Sequence, residues 1–145
     1  VPKKIDGWIS SEQLEHLKMI LAANQQYSVL LACHHHPLEM KSNWIDRHKL
    51  KNTNELTDVL STYDNIKAVI CGHVHQDSLN VWKNIHFLST PSTSVQFKPL
   101  SFDFALDNIA PGYRCLLLKD NGEFSTAVHR VQKFRQKFSK EISGY

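Results

Sequence analysis

Five of the nine histidines in this chain lie in two short clusters, and the neutral imidazole is the commonest metal ligand among protein side chains. The first cluster is the run 34–36, and the second is the pair His73-x-His75. Each cluster begins just after an apolar run of strand length, 29–33 in the first case and 68–71 in the second. Ligands of open α/β sheets bind beyond the carboxyl ends of the strands, so neighbouring parallel strands would bring both clusters to one crevice. The sequence therefore predicts a metal site at that crevice.

Blander interpretations of the two clusters stay open on the sequence alone. A histidine run is also found in surface loops and a His-x-His pair arises by chance, but two clusters at matched strand ends favour metal binding. A two-metal hydrolase also needs anionic ligands, one of which bridges the metals. The nearest acidic side chains are Glu39, Asp46 and Asp77, and Asp77 is equally typical of an exposed turn. The predicted ligand set is therefore incomplete.

Helices and strands alternate in the first half of the chain. Apolar residues at helical spacing predict helices over 10–24 and 52–63, and continuous apolar runs predict buried strands over 28–33 and 66–71. Both helices carry a capping-box pattern at their start: Ser10 with Gln13, and Asn52 with Glu55. Helix, strand, helix, strand is the order of an α/β unit with a parallel strand pair and a helical crossover.

The second half of the chain is predicted to be mostly antiparallel strand. Two hairpins are indicated by short polar turns between strand-like runs: 78–82 with 85–89, and 113–119 with 123–131. The segment 102–106 alternates weakly, and 34–52 is predicted to be a loop. No repeat or linker separates the halves, so we expect one domain over 1–131 followed by a basic tail over 132–145.

Composition excludes several classes of protein. Apolar residues make up 41% and charged residues 21% of the 145 residues, which is typical of a chain that buries a core. No apolar run approaches the roughly 20 residues of a membrane span. The net charge of +3 is mild and no basic stripe carries aromatic platforms, so no nucleic-acid partner is predicted. Cys33, Cys71 and Cys115 lie in apolar settings and are predicted to be buried reduced thiols, which with the lack of a signal peptide favours the cytoplasm.

The two segments that contain the histidine clusters resemble the last two motifs of the calcineurin-like metallophosphoesterases. They are Leu-Ala-Cys-His-His-His-Pro over 31–37 and Cys-Gly-His-Val-His over 71–75. More narrowly, four further segments resemble the bacterial class III cyclic AMP phosphodiesterases: 42–48, 90–93, 95–99 and 110–114. The similarity covers most of 5–131, and the ordered series is far more specific than the Gly-His-x-His motif alone.

The resemblance implies a metal-dependent hydrolysis of 3',5'-cyclic AMP to 5'-AMP at a two-metal site. It maps the metal ligands onto His35, His73 and His75, with His35 and His73 on one metal and His75 on the other. His34 is an addition, which we expect to turn away from the site. Two divalent ions are implied, with iron or manganese favoured and zinc as a further option. The alternatives are another calcineurin-like phosphoesterase and a catalytically incompetent metal-binding fragment.

Substrate contacts are expected from the loop between the two clusters, which would wall a cyclic nucleotide pocket. The candidates are His36, Asn43, Trp44, Asp46 and His48. The alternative is that this stretch is a simple surface loop. Trp44 suits either stacking on a base or pinning the loop to the core.

The family motifs that supply the bridging aspartate, the asparagine ligand and the catalytic histidine are absent from this sequence. The chain therefore resembles the C-terminal half of such an enzyme, and no catalytic residue beyond the metal ligands is predicted in it. The expected fold is a partial calcineurin-like sandwich, with buried strands and crossover helices followed by antiparallel strands. We expect its open sheet edges to favour self-association. We also expect the chain alone to bind at most one metal weakly and to hydrolyse cyclic AMP poorly or not at all.

Overall fold

A four-stranded sheet forms the centre of the computed structural model, which describes residues 5–134. Its strands are β1 (Val29–Cys33), β2 (Ile66–Cys71), β3 (Ser78–Trp82) and β4 (Ile85–Ser89). The strand order is β1-β2-β4-β3, with β1, β2 and β4 parallel and β3 antiparallel to β4. The predicted parallel pair and the first predicted hairpin are both confirmed.

Within residues 5–134, three helices accompany the sheet: α1 (Ser11–Ala23), α2 (Asn43–Asp46) and α3 (Thr53–Leu60). The capping box of α1 is present, since Gln13 N–H donates to Ser10 Oγ at 3.1 Å and Ser10 N–H donates to the Gln13 side chain at 3.0 Å. The box predicted for α3 is wrong, because no side-chain cap bond forms at Asn52. The Asn52 amide instead accepts from Ile9 N–H at 3.1 Å and donates to Ile9 O at 2.8 Å.

The main apolar core lies between the helices and one face of the sheet. Leu21 and Leu60 from the helices are fully buried there, and Val69 and Phe87 meet them from neighbouring strands. Strand β1 is less buried than predicted, with Ala32 exposed, because among residues 5–134 this strand pairs on one side only.

A long hairpin covers the opposite face of the sheet. It consists of β7 (Gly112–Leu118) and β8 (Phe124–Arg130), in full antiparallel register, as the Asn-Gly turn predicts. Phe124 meets His86 at 5.1 Å between ring centroids, and His86 lies on the face opposite to that of its neighbour Phe87. Cys115 lies on the outer face of the hairpin and is exposed, so its predicted burial is wrong. Side chains of the hairpin alternate between its two faces. Because only one face packs against the sheet, most residues of the other face are exposed.

Shorter elements lie outside the central sheet and the hairpin. Two short strands, β5 (Gln96–Phe97) and β6 (Leu106–Asp107), pair antiparallel, so the weak signal over 102–106 marks only the approach to β6. The predicted loop 34–52 contains α2. Most of the predicted basic tail, from 135 onward, lies outside the described residues. Across residues 5–134 no helix is both long enough and apolar enough to cross a membrane.

We expect Asn52→Ala to lower the free energy of unfolding by about 1–3 kcal/mol, because it leaves the backbone polar groups of Ile9 without their partner. Urea unfolding of the purified chain measures the loss. Asn54→Ala is the matched control, since Asn54 is exposed on the same helix. Equal effects of the two substitutions would contradict this role for Asn52.

Candidate metal centre

The two histidine clusters meet at the carboxyl end of the parallel strand pair. Cys33 and Cys71 are register partners on β1 and β2, so the chain leaves both strands at the same level. One ring nitrogen from each of three histidines lies within 4.8 Å of the other two: His34, His35 and His73. The loops that follow a parallel pair thus create a compact imidazole cluster, as the strand-end argument predicts.

His35 is held in one orientation and one tautomer. Its Nδ1 lies 2.8 Å from the carbonyl oxygen of His48, so Nδ1–H donates and Nε2 keeps its lone pair. The backbone of Gly7 packs against the other side of the ring, where an added Cβ would lie 2.7 Å from His35 Cγ. Gly7 is itself fixed, because its carbonyl accepts from Lys51 N–H at 2.9 Å and it bridges to Leu50.

His34 does not turn away from the cluster, and that expectation is wrong. Its Nε2 lies 3.2 Å from Nδ1 of His73, and its ring centroid is 5.1 Å from those of both His35 and His73. The His34 ring also packs against the backbone of Gly72, since a Cβ added there would lie in ordinary contact with His34 Nδ1, at 3.7 Å. The ring stays exposed on its outer side, so it covers the cluster from solvent.

His73 occupies the middle of the cluster in a left-handed backbone conformation, with φ of 61°. Its Nε2 lies 3.4 Å from Nδ1 of His48. The sequence predicted His48 as a substrate contact and not as a neighbour of the metal ligands. Burial, followed by the neighbouring rings of His35 and His34, lowers the pKa of His73 to about 3. Burial also lowers the pKa of His35, His48 and His75. Neutral imidazoles are the form that binds metal ions.

His75 lies outside the three-membered group but is oriented in the same manner as His35. Its Nδ1–H donates to the carbonyl oxygen of Val95 at 3.0 Å, which leaves the Nε2 lone pair free. The ring stacks on Phe97 with centroids 4.3 Å apart and planes 8° apart. The backbone of His75 is also left-handed, with φ of 49°.

Asp6 lies near the cluster, where it opposes the lowering of the pKa of His35 and His48 and pairs with Lys51 at 4.0 Å, whereas two other acidic side chains are engaged elsewhere. Asp46 accepts from Met40 N–H at 2.8 Å and from Ser42 N–H at 3.2 Å. Asp77 pairs with Arg114 at 2.7 Å. Within residues 5–134, the ligand group contains imidazoles alone, in line with the incomplete ligand set of the sequence.

The candidate substrate residues divide into buried and exposed groups. His36 is 1% exposed, and its Nε2–H donates to Asp46 at 3.3 Å, while burial lowers its pKa to about 4. Trp44 is also buried, and it packs edge-on against Phe97 and Phe104 with centroids 5.0 Å apart in both cases. These contacts favour the loop-pinning role for Trp44 that the sequence left open. His48 is buried beside them, and Asn43 is exposed.

The two cysteines beneath the cluster are unreactive thiols. Cys33 and Cys71 are free, and burial raises their pKa to about 11 and about 12. At neutral pH both therefore keep their protons, and a thiol binds metal ions only after losing its proton. The cysteines lie at the strand ends, and the imidazoles are the groups that could hold a metal ion.

The arrangement belongs to a known architecture. A dimetal phosphatase from Danio rerio matches 74% of this chain with a TM-score of 0.54 and 20% sequence identity, and the match covers 34% of that protein. No protein-family model matches the chain. The fold of the described residues is therefore part of a dimetal phosphatase fold.

Sequence comparison makes the relationship narrower. The chain is 42% identical over 139 residues to the 3',5'-cyclic adenosine monophosphate phosphodiesterase CpdA of Escherichia coli, a match covering 96% of this chain and 50% of that protein. It is 44% identical over 125 residues to the CpdA of Vibrio vulnificus, covering 86% of this chain and 46% of that protein. The chain spans about half the length of the curated relatives it matches. It is a sequence relative of the CpdA phosphodiesterases, which confirms the resemblance carried by its motifs.

We expect Gly7→Ala to displace the His35 ring and to lower the free energy of unfolding by about 1–3 kcal/mol, because the new methyl group overlaps that ring. Nitrogen-edited NMR of the imidazoles should show the His35 Nδ1–H signal shifted or lost. Trp8→Ala is the control, since Trp8 is adjacent and exposed. An unchanged His35 signal in Gly7→Ala would contradict the close approach.

In the metal-free chain, the free energy of unfolding should fall as the pH is lowered from about 7 to about 4. Unfolded histidines bind protons below about pH 6.5, whereas in the folded chain the pKa of His36 is about 4 and that of His73 about 3. The unfolded state therefore binds more protons in this window, and stability is lost as the pH falls. Urea unfolding with a chelator measures the profile, and His36→Gln should make it shallower. A flat profile would contradict the burial of neutral rings.

Proposed function

We propose that this chain supplies part of the metal site of an enzyme that hydrolyses 3',5'-cyclic nucleotides, with cyclic AMP as the substrate. The observation that carries the proposal is the cluster of imidazoles at the carboxyl edge of a parallel strand pair. Two curated relatives, 42% and 44% identical, are named as cyclic AMP phosphodiesterases and support the substrate. The match to a dimetal phosphatase supports the fold that holds the site.

The donor set fits a divalent metal ion. We propose His35 and His73 as ligands to one ion and His75 as a ligand to a second. Hydrogen bonds from Nδ1–H to backbone carbonyls leave Nε2 free in both His35 and His75. Donation from His73 Nδ1–H to His34 would give His73 the same tautomer, which makes His34 an orienting neighbour. Nitrogen and oxygen ligands suit iron, manganese or zinc, and the resemblance favours the first two.

Bound metal ions would supply charge neutralisation at the phosphoryl oxygens and would lower the pKa of a bound water. The chain's own residues hold the ligands in place. His48 fixes His35 through its carbonyl oxygen and contacts His73 through its ring. We propose that His36, Trp44, Asp46 and His48 stiffen the wall of the substrate pocket. Asn43 is the fifth candidate substrate residue, and its side chain is exposed and therefore able to reach the nucleotide.

Two dications need anionic ligands, and within residues 5–134 the imidazole cluster has none. We propose that these ligands come from the other half of the full-length protein, in the same domain as residues 1–131. The chain by itself then binds at most one ion weakly. This all-imidazole cluster is also the observation that favours the second candidate, a metal-binding fragment without activity of its own.

The test compares the full-length protein with the 145-residue chain. Each is loaded with manganese, iron or zinc and assayed on cyclic AMP and on an aryl phosphate. We expect the full-length protein to hydrolyse cyclic AMP in preference, and His73→Ala or a chelator to abolish the activity. His129→Ala, an exposed histidine on the hairpin, is the matched control and should retain it.

Three outcomes would contradict the proposal. Preference for the aryl phosphate would favour another phosphoesterase. Full activity of His73→Ala would remove the imidazole cluster from the reaction. Robust cyclic AMP hydrolysis by the 145-residue chain would show that it needs no further ligands.

A further inference from the structure

We propose that Arg114 is a positioning residue for the metal-binding loop: it locks Asp77 and thereby holds His75 and His73 in their left-handed conformations. The inference rests on the proposed function, because it concerns the same loop. Arg114 lies in a segment that the sequence analysis singled out and the metal chemistry does not use. It sits on the hairpin, on the far side of the sheet from the helices.

The loop from Gly72 to Asp77 is strained where its two histidines lie. His73 has φ of 61° and His75 has φ of 49°, values that favour glycine. Such conformations persist only where the surrounding structure fixes them. The aim of both rings therefore depends on contacts that hold the loop at both ends.

The first part of the loop is held by burial and by the sheet. Val74 between the two histidines is fully buried, and its N–H donates to Gly72 O at 2.6 Å. Ser89 Oγ on β4 donates to the carbonyl oxygen of Gln76 at 2.7 Å. The last residue of the loop, Asp77, is exposed and has a charged side chain, so burial alone does not fix it.

Arg114 supplies the main anchor, since the second arginine near Asp77, Arg130, lies farther away, with its Nη2 3.8 Å from Asp77 Oδ2. The Arg114 side chain is 5% exposed, and Nη2–H donates to Asp77 Oδ1 at 2.7 Å and to Ser78 O at 3.3 Å. The rest of the guanidinium is bound to the rigid frame, through Nε–H to Ser89 O at 3.0 Å and Nη1–H to Thr126 Oγ1 at 2.9 Å. A planar guanidinium with four fixed acceptors allows Asp77 little movement.

The position of Asp77 is transmitted to the ligands along a short stretch of chain. A single residue, Gln76, separates Asp77 from His75, and it is buried. His75 also needs the correct backbone position to reach Val95 O and to stack on Phe97. Release of Asp77 would let the left-handed residues relax and turn Nε2 of His75 away from its aim.

The competing view is that Arg114 merely fastens the hairpin to the sheet. Thr126→Val separates the two views, since it removes one hairpin contact of Arg114 and leaves Asp77 paired. Asp77→Asn breaks the ion pairs with Arg114 and Arg130 at an exposed position with almost no change of shape, and Arg114→Met breaks the shorter pair while leaving Arg130 in place. Arg114→Met removes all four contacts, and Arg114→Lys keeps the charge without the fork.

The experiment measures manganese affinity in the full-length protein and the His75 Nδ1–H signal in the metal-free 145-residue chain by nitrogen-edited NMR. We expect Asp77→Asn and Arg114→Met to weaken manganese binding about 10-fold to 100-fold and to shift the His75 signal. Arg114→Lys should bind manganese more tightly than Arg114→Met. The double variant that combines Asp77→Asn with Arg114→Met should bind manganese no more weakly than Arg114→Met alone. Thr126→Val should leave both readouts near wild type.

Other results would contradict either the positioning role of Arg114 or the proposed function. Unchanged affinity and an unchanged His75 signal in Asp77→Asn overturn the positioning role, as do equal losses in Thr126→Val. If Arg114→Met fails to fold, Asp77→Asn still decides. If the wild-type protein binds no manganese, iron or zinc, the proposed function fails. The His75 signal in the metal-free chain then still tests whether Arg114 and Asp77 position His75.

Discussion

The parallel pairing of β1 with β2 is the constraint on which the rest of the structure depends. It places Cys33 opposite Cys71, so the two histidine loops begin side by side at one edge of the sheet. A shift by one residue would turn the buried face of β2 towards the hairpin and would separate the loops. The core between α1, α3 and the sheet fixes that register. Core packing and the imidazole cluster are therefore two consequences of one strand pair.

The site combines strain with electrostatic neutrality. Two of its histidines, His73 and His75, adopt left-handed backbone conformations, and their rings contact His34, His48 and the carbonyl oxygen of Val95. Burial keeps the rings uncharged, which removes the repulsion that protonated neighbours would feel and leaves lone pairs for a metal ion. Backbone carbonyls of His48 and Val95 select Nε2 as the free atom in His35 and His75. A metal ion would thus complete a set of donors already arranged for it.

Local sequence patterns predicted the elements well and their long-range packing poorly. The bounds of β2 and the α1 capping box follow from hydrophobic runs and from Ser10 with Gln13. The Asn52 side chain escaped this reasoning, because its partner, Ile9, is 43 residues away. The same holds for Trp44, whose burial depends on Phe97 and Phe104 in distant segments. The meeting of the clusters was predictable from strand ends, whereas the inward turn of His34 depends on its contact with His73, 39 residues away.

Anomalous diffraction from crystals of the full-length protein grown with manganese tests the central claim most directly. The account predicts two manganese peaks. One should be coordinated by Nε2 of both His35 and His73, and the other by Nε2 of His75. Peaks at Nδ1 atoms, peaks bound only by residues outside this cluster, or an absence of manganese would contradict it.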